Sequence, residues 1–397
     1  MLLLTIIYLA FISLGLPDAV LGSAWPTISQ DLSTSVEHAG AISLIVSAGT
    51  VISSLLAARI TFYFGTGKVL AFSVLATALA LLGFAFSNYV LSMVLLAIPL
   101  GLGAGAVDAA LNNFVALNYK SKHMNYLHSF WGVGATAGPF IMASYLLVDQ
   151  GWRDGYLTLS IIQFTLVVAL FATLPLWTKM AQDEALGSEV QDKAPISNRE
   201  ALGIPRVKAQ LFLYFCYCSL EAGTGLWAAS YLTAENGLSA SNAAFWTAMF
   251  FLGITAGRFV CGVIAERFEE ESMVRGGILL IVAGVVGLLL PVSAFVSQLS
   301  LILIGLGCAP VYPNTLHLTP KRFGQRASQA IIGLSMATAY VGITVIPPTM
   351  GIVFGHLSFS PLPVILLILS VSMLIASETL RRSEQTAELE FQEEHLS

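Results

Sequence analysis

Long apolar runs follow one another along nearly the whole chain, and short polar breaks separate them. A membrane-spanning helix needs about 20 mostly apolar residues. The runs therefore predict twelve spans, at 3–25, 38–58, 68–87, 90–118, 127–148, 155–178, 207–232, 241–264, 276–295, 299–319, 327–354 and 361–380. The short alternating segments of a membrane β-barrel do not appear. One break is long: "KMAQDEALGSEVQDKAPISNREALGIPR" at 179–206 is polar and punctuated by Pro and Gly, and it reads as a linker. The expected organisation is an all-α integral membrane protein. Residues 1–178 form one six-helix bundle, 179–206 a cytoplasmic linker, 207–382 a second six-helix bundle, and 383–397 an acidic cytoplasmic tail.

Composition agrees with a lipid solvent. Of 397 residues, 56 % are hydrophobic and 10 % charged, and the mean hydropathy is +0.80; soluble domains carry roughly a quarter charged residues. The net charge is −5 and no basic stripe exists, so nucleic acid is not an expected partner. The four cysteines, Cys216, Cys218, Cys261 and Cys308, lie in apolar segments without metal-ligand spacing and read as small bundle residues. The first run begins at Leu2 with neither a basic n-region nor a small-residue cleavage site, and is read as a retained helix.

Lys and Arg set the orientation. With the N-terminus in the cytoplasm, sixteen of the eighteen basic residues fall in inside segments; Arg153 falls outside and Arg258 lies within a span. Both termini are then cytoplasmic, in the inner or plasma membrane.

The two halves repeat. "SAGTVISSLLAAR" (47–59) aligns with "TAGRFVCGVIAER" (255–267), placing Ala48-Gly49 on Ala256-Gly257 and Arg59 on Arg267. "GLG" at 101–103 recurs at 305–307. A parallel duplication of six spans builds transporters with a midplane site.

With these features the chain resembles the major facilitator superfamily. That family's cytoplasmic signature, Gly-x-Leu-Ala-Asp-Arg, recurs here as "GVIAER", with Gly262, Ile264, Ala265, Glu266 and Arg267. The first copy, "SLLAAR", has Ser54 in place of Gly and Ala58 in place of the acid. The resemblance implies that Arg59, Glu266 and Arg267 hold an inner gate. Its N-terminal share is weakened by the missing acid. Within the superfamily the chain is similar to the sugar branch that contains the fucose–proton symporters. The stretches that carry this are "GLPDAVLGSAWP" (15–26), "VDAALNNF" (107–114), "HSFWGVGATAGP" (128–139) and "EAGTGLW" (221–227). The superfamily usually works as monomers.

The polar residues inside the spans are the candidate chemistry. A charged side chain at a helix centre costs about 2.5–3.5 kcal/mol on insertion scales, so such residues face protein or water. Asp108 and Asn112 are four residues apart and share a helix face; Asn113 is about 100° round, toward a neighbouring helix. Asp18 sits beside Pro17 and Gly15, where a kink frees carbonyl groups. Asp18 and Asp108 are candidates to carry a coupling proton, and Glu221 is a third candidate or a solute ligand. The proton is the expected coupling ion with sodium as its competitor, and no other cofactor is called for. Sugar rings present apolar faces to indole and hydroxyls to amides, which makes Asn112, Asn113, His128, Trp131, Trp227 and Asn314 the candidate solute ligands. Asn314 lies between Pro310, Pro313 and Pro320, where a broken backbone is expected. Arg258 reads as a structural or gate residue ahead of solute binding. "GWRDGY" (151–156) reads as a loop anchor through Arg153.

The expected function is secondary transport of a small polar solute, a sugar, moved with protons. A proton-driven drug or metabolite exporter on the same fold is the alternative. An enzyme is not expected: no phosphate-cradling loop, zinc spacing or Ser/His/Asp set is present.

Overall fold

The computed structural model describes residues 2–119, 121–148, 151–177, 197–264, 267–290 and 293–396. In lipid every backbone polar group must be satisfied internally, which leaves helices as the spanning element for an apolar chain of this kind. The described residues form α1 (Leu2–Asp18), α2 (Val20–Asp31), α3 (Glu37–Phe64), α4 (Thr66–Ala85), α5 (Val90–Asn118), α6 (Ser121–Tyr145) and α7 (Gly151–Ala172) in the first half. The second half holds α8 (Asn198–Gly203), α9 (Val207–Asn236), α10 (Ala240–Ile264), α11 (Glu270–Leu289), α12 (Ala294–Phe323), α13 (Gln325–His356) and α14 (Leu362–Leu396). With α1 and α2 taken as one broken rod, twelve rods of spanning length run through the described residues. Nine of them are also apolar enough by composition to cross a membrane.

Several boundaries differ from the expectation, each for a physical reason. The first span breaks at Ala19, directly after Pro17 and Asp18. The expected break in the tenth span does not occur: α12 is continuous through Pro310, Pro313 and Pro320. The end of the expected linker is ordered. Ser197 and Glu200 form a reciprocal capping box at the start of α8, and Ala201 is buried with Val207 and Ile331. The acidic tail continues the last helix to Leu396, in keeping with its Glu, Gln, Ala and Leu content. Gly65 between α3 and α4 (φ 79°) and Gly324 between α12 and α13 (φ 81°) take left-handed turns that a side chain would strain.

Helix packing shows the internal repeat. In the first half α4 packs on α5 and α7; in the second, α11 packs on α12 and α14. The aligned glycines do equivalent work. A Cβ on Gly49 would meet the backbone of Gly101 and Leu102, and one on Gly257 would meet Leu306 and Ala309. Gly103 lies against the Ser73 carbonyl, and Gly307 against the Gly277 carbonyl. Small residues at such crossings let membrane helices approach backbone to backbone.

The chain divides into two compact units. The first gathers Met1–Gln191, Gly225–Leu252 and Pro347–Ser360; the second gathers Asp192–Thr224, Gly253–Ile346 and Pro361–Ser397. The first unit thus includes the ends of α9, α10 and α13 packed on the N-terminal helices. Gly22 lies against the carbonyls of Gly225 and Leu226, Gly40 against Pro348, and Ser241 Oγ donates to the Ala143 carbonyl at 2.7 Å.

Candidate functional site

The expected residues of the first half lie on α1, α5 and α6 and form two pairs, Asp18 with Trp131 and Asp108 with Asn112. Helices α1 and α6 cross through glycines on both sides. A Cβ on Gly15 would meet the backbone of Trp131 and Ala135; Gly134 lies against Ile12 and Leu16, and Gly138 against Leu16 and Val20. The small-residue face of "GVGATAG" is this crossing. Its consequence is geometric: Trp131 reaches the break in the first span, and its Nε1–H donates to Asp18 Oδ2 at 2.7 Å. Asp18 is exposed on its unit and Trp131 half-buried. One turn before Trp131, the exposed His128 meets Phe11 edge-on, with ring centroids 5.8 Å apart.

On α5, Asn112 Nδ2 donates to Asp108 Oδ1 at 2.8 Å and to the Asp108 carbonyl at 3.0 Å. The i, i+4 face is therefore a carboxylate–amide pair, with Asp108 half-buried. The Asn113 side chain lies outside the described ones.

Sequence reasoning missed two groups in this half. Tyr8 stacks on Phe130 at 4.7 Å and its hydroxyl hydrogen-bonds His123 Nδ1 at 2.8 Å, so it extends the α1/α6 row of rings. Gln163, almost fully buried on α7, donates to the Ser13 carbonyl at 3.0 Å and accepts from Thr77 Oγ1 at 2.6 Å. A lone amide in the apolar run "SIIQFTLVV" was the available signal.

The anchor role of Arg153 is seen, inside the first turn of α7 and not in a loop. Arg153 pairs with Asp31, donates to the Ser87 carbonyl at 3.2 Å, and lies over the Trp152 ring at 4.2 Å. Trp152 Nε1 also donates to Asp31, at 2.9 Å.

In the second half, Arg258 is half-buried on α10. Tyr217 and Glu221 of α9 and Cys308 of α12 are among the groups that act on it electrostatically. Asn314 holds a buried Nδ2 that has no hydrogen-bond partner among the described residues. Trp227 is placed elsewhere, in the first unit. It is fully buried, its Nε1 donates to the Pro347 carbonyl at 2.8 Å, and Phe354 meets it edge-on at 5.5 Å.

Of the expected gate residues, Glu266 and the Arg59 side chain lie outside the described residues. Arg267 is exposed in the turn after α10, its N–H bonded to the Ile264 carbonyl at 2.8 Å. Nearby, the N-terminus of α11 carries acids that pair with the end of α12: Glu271 with Arg322 at 2.9 Å and Glu270 with His317 at 2.6 Å. Acids in a first helical turn also complement the helix dipole.

The profile of the Major Facilitator Superfamily matches residues 7–220 and again 210–396, one match for each half. The chain belongs to the major facilitator superfamily. It is a multi-pass membrane transporter. Among its relatives, the "Glucose/mannose transporter GlcP" of Bacillus subtilis is 22 % identical over 357 residues, covering 87 % of this chain and 86 % of the relative. The "Bypass of stop codon protein 6" of Saccharomyces cerevisiae is 24 % identical over 390 residues, 89 % of this chain and 77 % of the relative. The "Gallate transporter" of Pseudomonas putida is 23 % identical and covers 78 % of this chain and 74 % of its own. Two solved structures share the fold. A D-xylose–proton symporter has a TM-score of 0.70 at 13 % identity, over 96 % of both chains. A bacterial homolog of the human lysosomal transporter Spinster, inward-facing and occupied, has a TM-score of 0.72 at 12 % identity, over 97 % of this chain and 96 % of its own.

Proposed function

We propose that this superfamily member is a secondary transporter that moves a sugar by alternating access, coupled to protons through Asp18 and Asp108. The observation that carries the reading is the Asp18–Trp131 hydrogen bond at the break in the first span. It joins a carboxylate exposed on its unit to the edge of an indole. An ionisable group at membrane depth is costly unless it faces protein or water. Here the carboxylate can take hydroxyls and a proton, while the indole and the neighbouring His128 offer surfaces for a sugar ring. The Asp108–Asn112 pair supplies a second acid whose charge depends on protonation and an amide that can be recruited by hydroxyls. In a low-dielectric site a carboxylic acid favours its neutral form, which ties solute binding to proton binding. Glu221, beside Arg258, is the third acid of this scheme. Arg258 holds Glu221 in place in the solute-free state. Asn314, with its unused donor, is a solute ligand in the second half. A sugar-transporting relative and a sugar–proton symporter among the structural neighbours support the substrate class. The scheme needs no cofactor beyond the coupling ion, and the protein works as a monomer with both termini cytoplasmic.

A second reading has one specific support. Arg258 is an intramembrane cation, and a relative transports gallate; an aromatic carboxylate would displace Glu221 from Arg258.

The test is thermal stabilisation of the purified protein by sugars, polyols, aromatic carboxylates and lipophilic cations, at pH 5.5 and pH 7.5 (about the range in which coupling protons exchange) and with and without sodium. A ligand that binds only the folded state raises its melting point by mass action. Stabilisation by a sugar that disappears in Asp108→Asn and in Trp131→Ala supports the proposal. Stabilisation by aromatic carboxylates that disappears in Arg258→Gln moves the assignment to the second reading. Stabilisation by lipophilic cations alone overturns both in favour of export.

A further inference from the structure

The break in the first span has a partner that its sequence does not contain. Proline at position 17 has no N–H, so the carbonyl four residues earlier, that of Ser13, loses its helical donor. In lipid an unsatisfied carbonyl is costly. Ser13 is buried on α1, and its carbonyl is met from α7 by Gln163 Nε2 at 3.0 Å. Thr77 on α4 fixes the orientation of that amide, since its hydroxyl donates to Gln163 Oε1 at 2.6 Å and thereby turns the NH2 toward Ser13. Thr77 and Gln163 are both buried, and the same Thr77 hydroxyl also contacts the Val74 carbonyl at 2.8 Å. A small pocket beside the kink is lined by Ser13, Pro17, Thr77 and Gln163 among others.

We propose that Gln163, oriented by Thr77, is a positioning residue: it replaces the hydrogen bond that Pro17 removes and so fixes the stub of α1 that presents Asp18 to Trp131. Two of the three hydrogen-bonding groups at the amide are accounted for by α1 and α4. The clamp therefore ties the hinge of the first span to two neighbouring helices of the same unit. The functional part of the proposal rests on the reading of Asp18 given above; the clamp itself does not.

The experiment uses the full chain in nanodiscs and compares wild type, Gln163→Met, Thr77→Val, Pro17→Ala and the double variant Pro17→Ala/Gln163→Met. Amide hydrogen exchange is read over the segment around the break. Methionine keeps the length of glutamine and removes its donor. Loss of one buried hydrogen bond to the carbonyl is expected to raise exchange there about tenfold in Gln163→Met, with a smaller rise in Thr77→Val. Alanine at position 17 restores a main-chain N–H for Ser13. The double variant is therefore expected to exchange within about twofold of Pro17→Ala alone. Exchange unchanged in Gln163→Met, or a rise just as large in the Pro17→Ala background, overturns the clamp. If Gln163→Met does not fold, the Thr77→Val comparison in both backgrounds decides in the same way. Uptake of radiolabelled D-glucose driven by a pH gradient is measured on the same variants reconstituted in proteoliposomes. A clamp confirmed by exchange with uptake unaffected by its loss would remove the role given to Asp18 while leaving the clamp intact.

Discussion

Replacing Gly15 by alanine tests whether the α1/α6 crossing builds the site. A Cβ at position 15 would lie 2.8 Å from the Ala135 nitrogen and closer still to the Trp131 carbonyl oxygen. Both are backbone atoms of a helix and cannot rotate away. Relief requires the helices to separate by roughly 1 Å at this level, given an ordinary carbon–oxygen contact of about 3.3 Å. The Trp131–Asp18 hydrogen bond is 2.7 Å. Adding that separation takes it to about 3.7 Å, beyond hydrogen-bonding range. Overpacking of this kind costs about 1–3 kcal/mol, and a hydrogen bond to a charged group contributes about 1.5–3 kcal/mol. Asp18 is exposed, so the lower end applies to the second figure, and the expected total is about 2.5–4.5 kcal/mol. The control is built into the protein. Cβ atoms at Gly276 on α11 and Gly333 on α13 would meet nothing within 4 Å, and alanine there should be neutral or stabilise by up to about 1 kcal/mol through helix propensity. Unfolding in mixed micelles gives the free energies, and because the chain holds six tryptophans, the difference in fluorescence from the same protein carrying Trp131→Phe reports the indole of Trp131. Gly15→Ala as harmless as Gly276→Ala would refute the crossing as the origin of the site geometry.

Three further outcomes follow from the same structure. Glu271→Gln should cost about 2–3 kcal/mol, because Arg322 is 5 % exposed and is left without its carboxylate, whereas Glu378→Gln, whose Arg275 partner is 47 % exposed, should cost under about 1 kcal/mol; equal costs in chemical unfolding would contradict the assignment. Arg153→Lys should cost about 1–2 kcal/mol, since an ammonium cannot serve Asp31, the Ser87 carbonyl and the Trp152 face together; an unchanged unfolding midpoint would show that the anchor is idle. Gly22→Leu should prevent the close approach to Gly225 and Leu226, whose backbone atoms would lie 2.5–2.7 Å from the new Cβ, and should raise alkylation of a cysteine placed at position 226 several-fold; unaltered labelling would count against that contact.

Much of the fold could be read from the residues because lipid imposes one rule everywhere: an apolar run of sufficient length becomes a helix. The repeat was legible for a related reason. Gly49, Gly101, Gly103 and Gly307 each face backbone atoms of a neighbouring helix and Gly257 faces Ala309, so both copies of the crossing need a small residue at these places. The α12 break was misjudged because proline counts alone do not reveal whether neighbouring helices keep a helix straight. The order of α8 was missed because Ser197 and Glu200 make a local cap whose value depends on Ala201 finding Ile331, far along the chain. The i, i+4 geometry sufficed to pair Asp108 with Asn112, and the motif around Trp131 marked its helix but not its partner. Long-range pairing was not available from either. Nothing local to Trp131 states that its N–H meets Asp18, and nothing local to Trp227 states that its N–H is taken by Pro347. Gln163 was within reach in principle, since Pro17 announces an orphaned carbonyl at Ser13; what could not be read was which of the buried amides would answer it.

The central claim is that two intramembrane acids couple sugar movement to protons. The direct measurement is uptake of radiolabelled D-glucose by proteoliposomes, in an imposed pH gradient and in counterflow without a gradient, for wild type, Asp18→Asn and Asp108→Asn. The account predicts accumulation by wild type, and variants that lose accumulation while still exchanging sugar in counterflow. Accumulation by both variants at the wild-type level would contradict it.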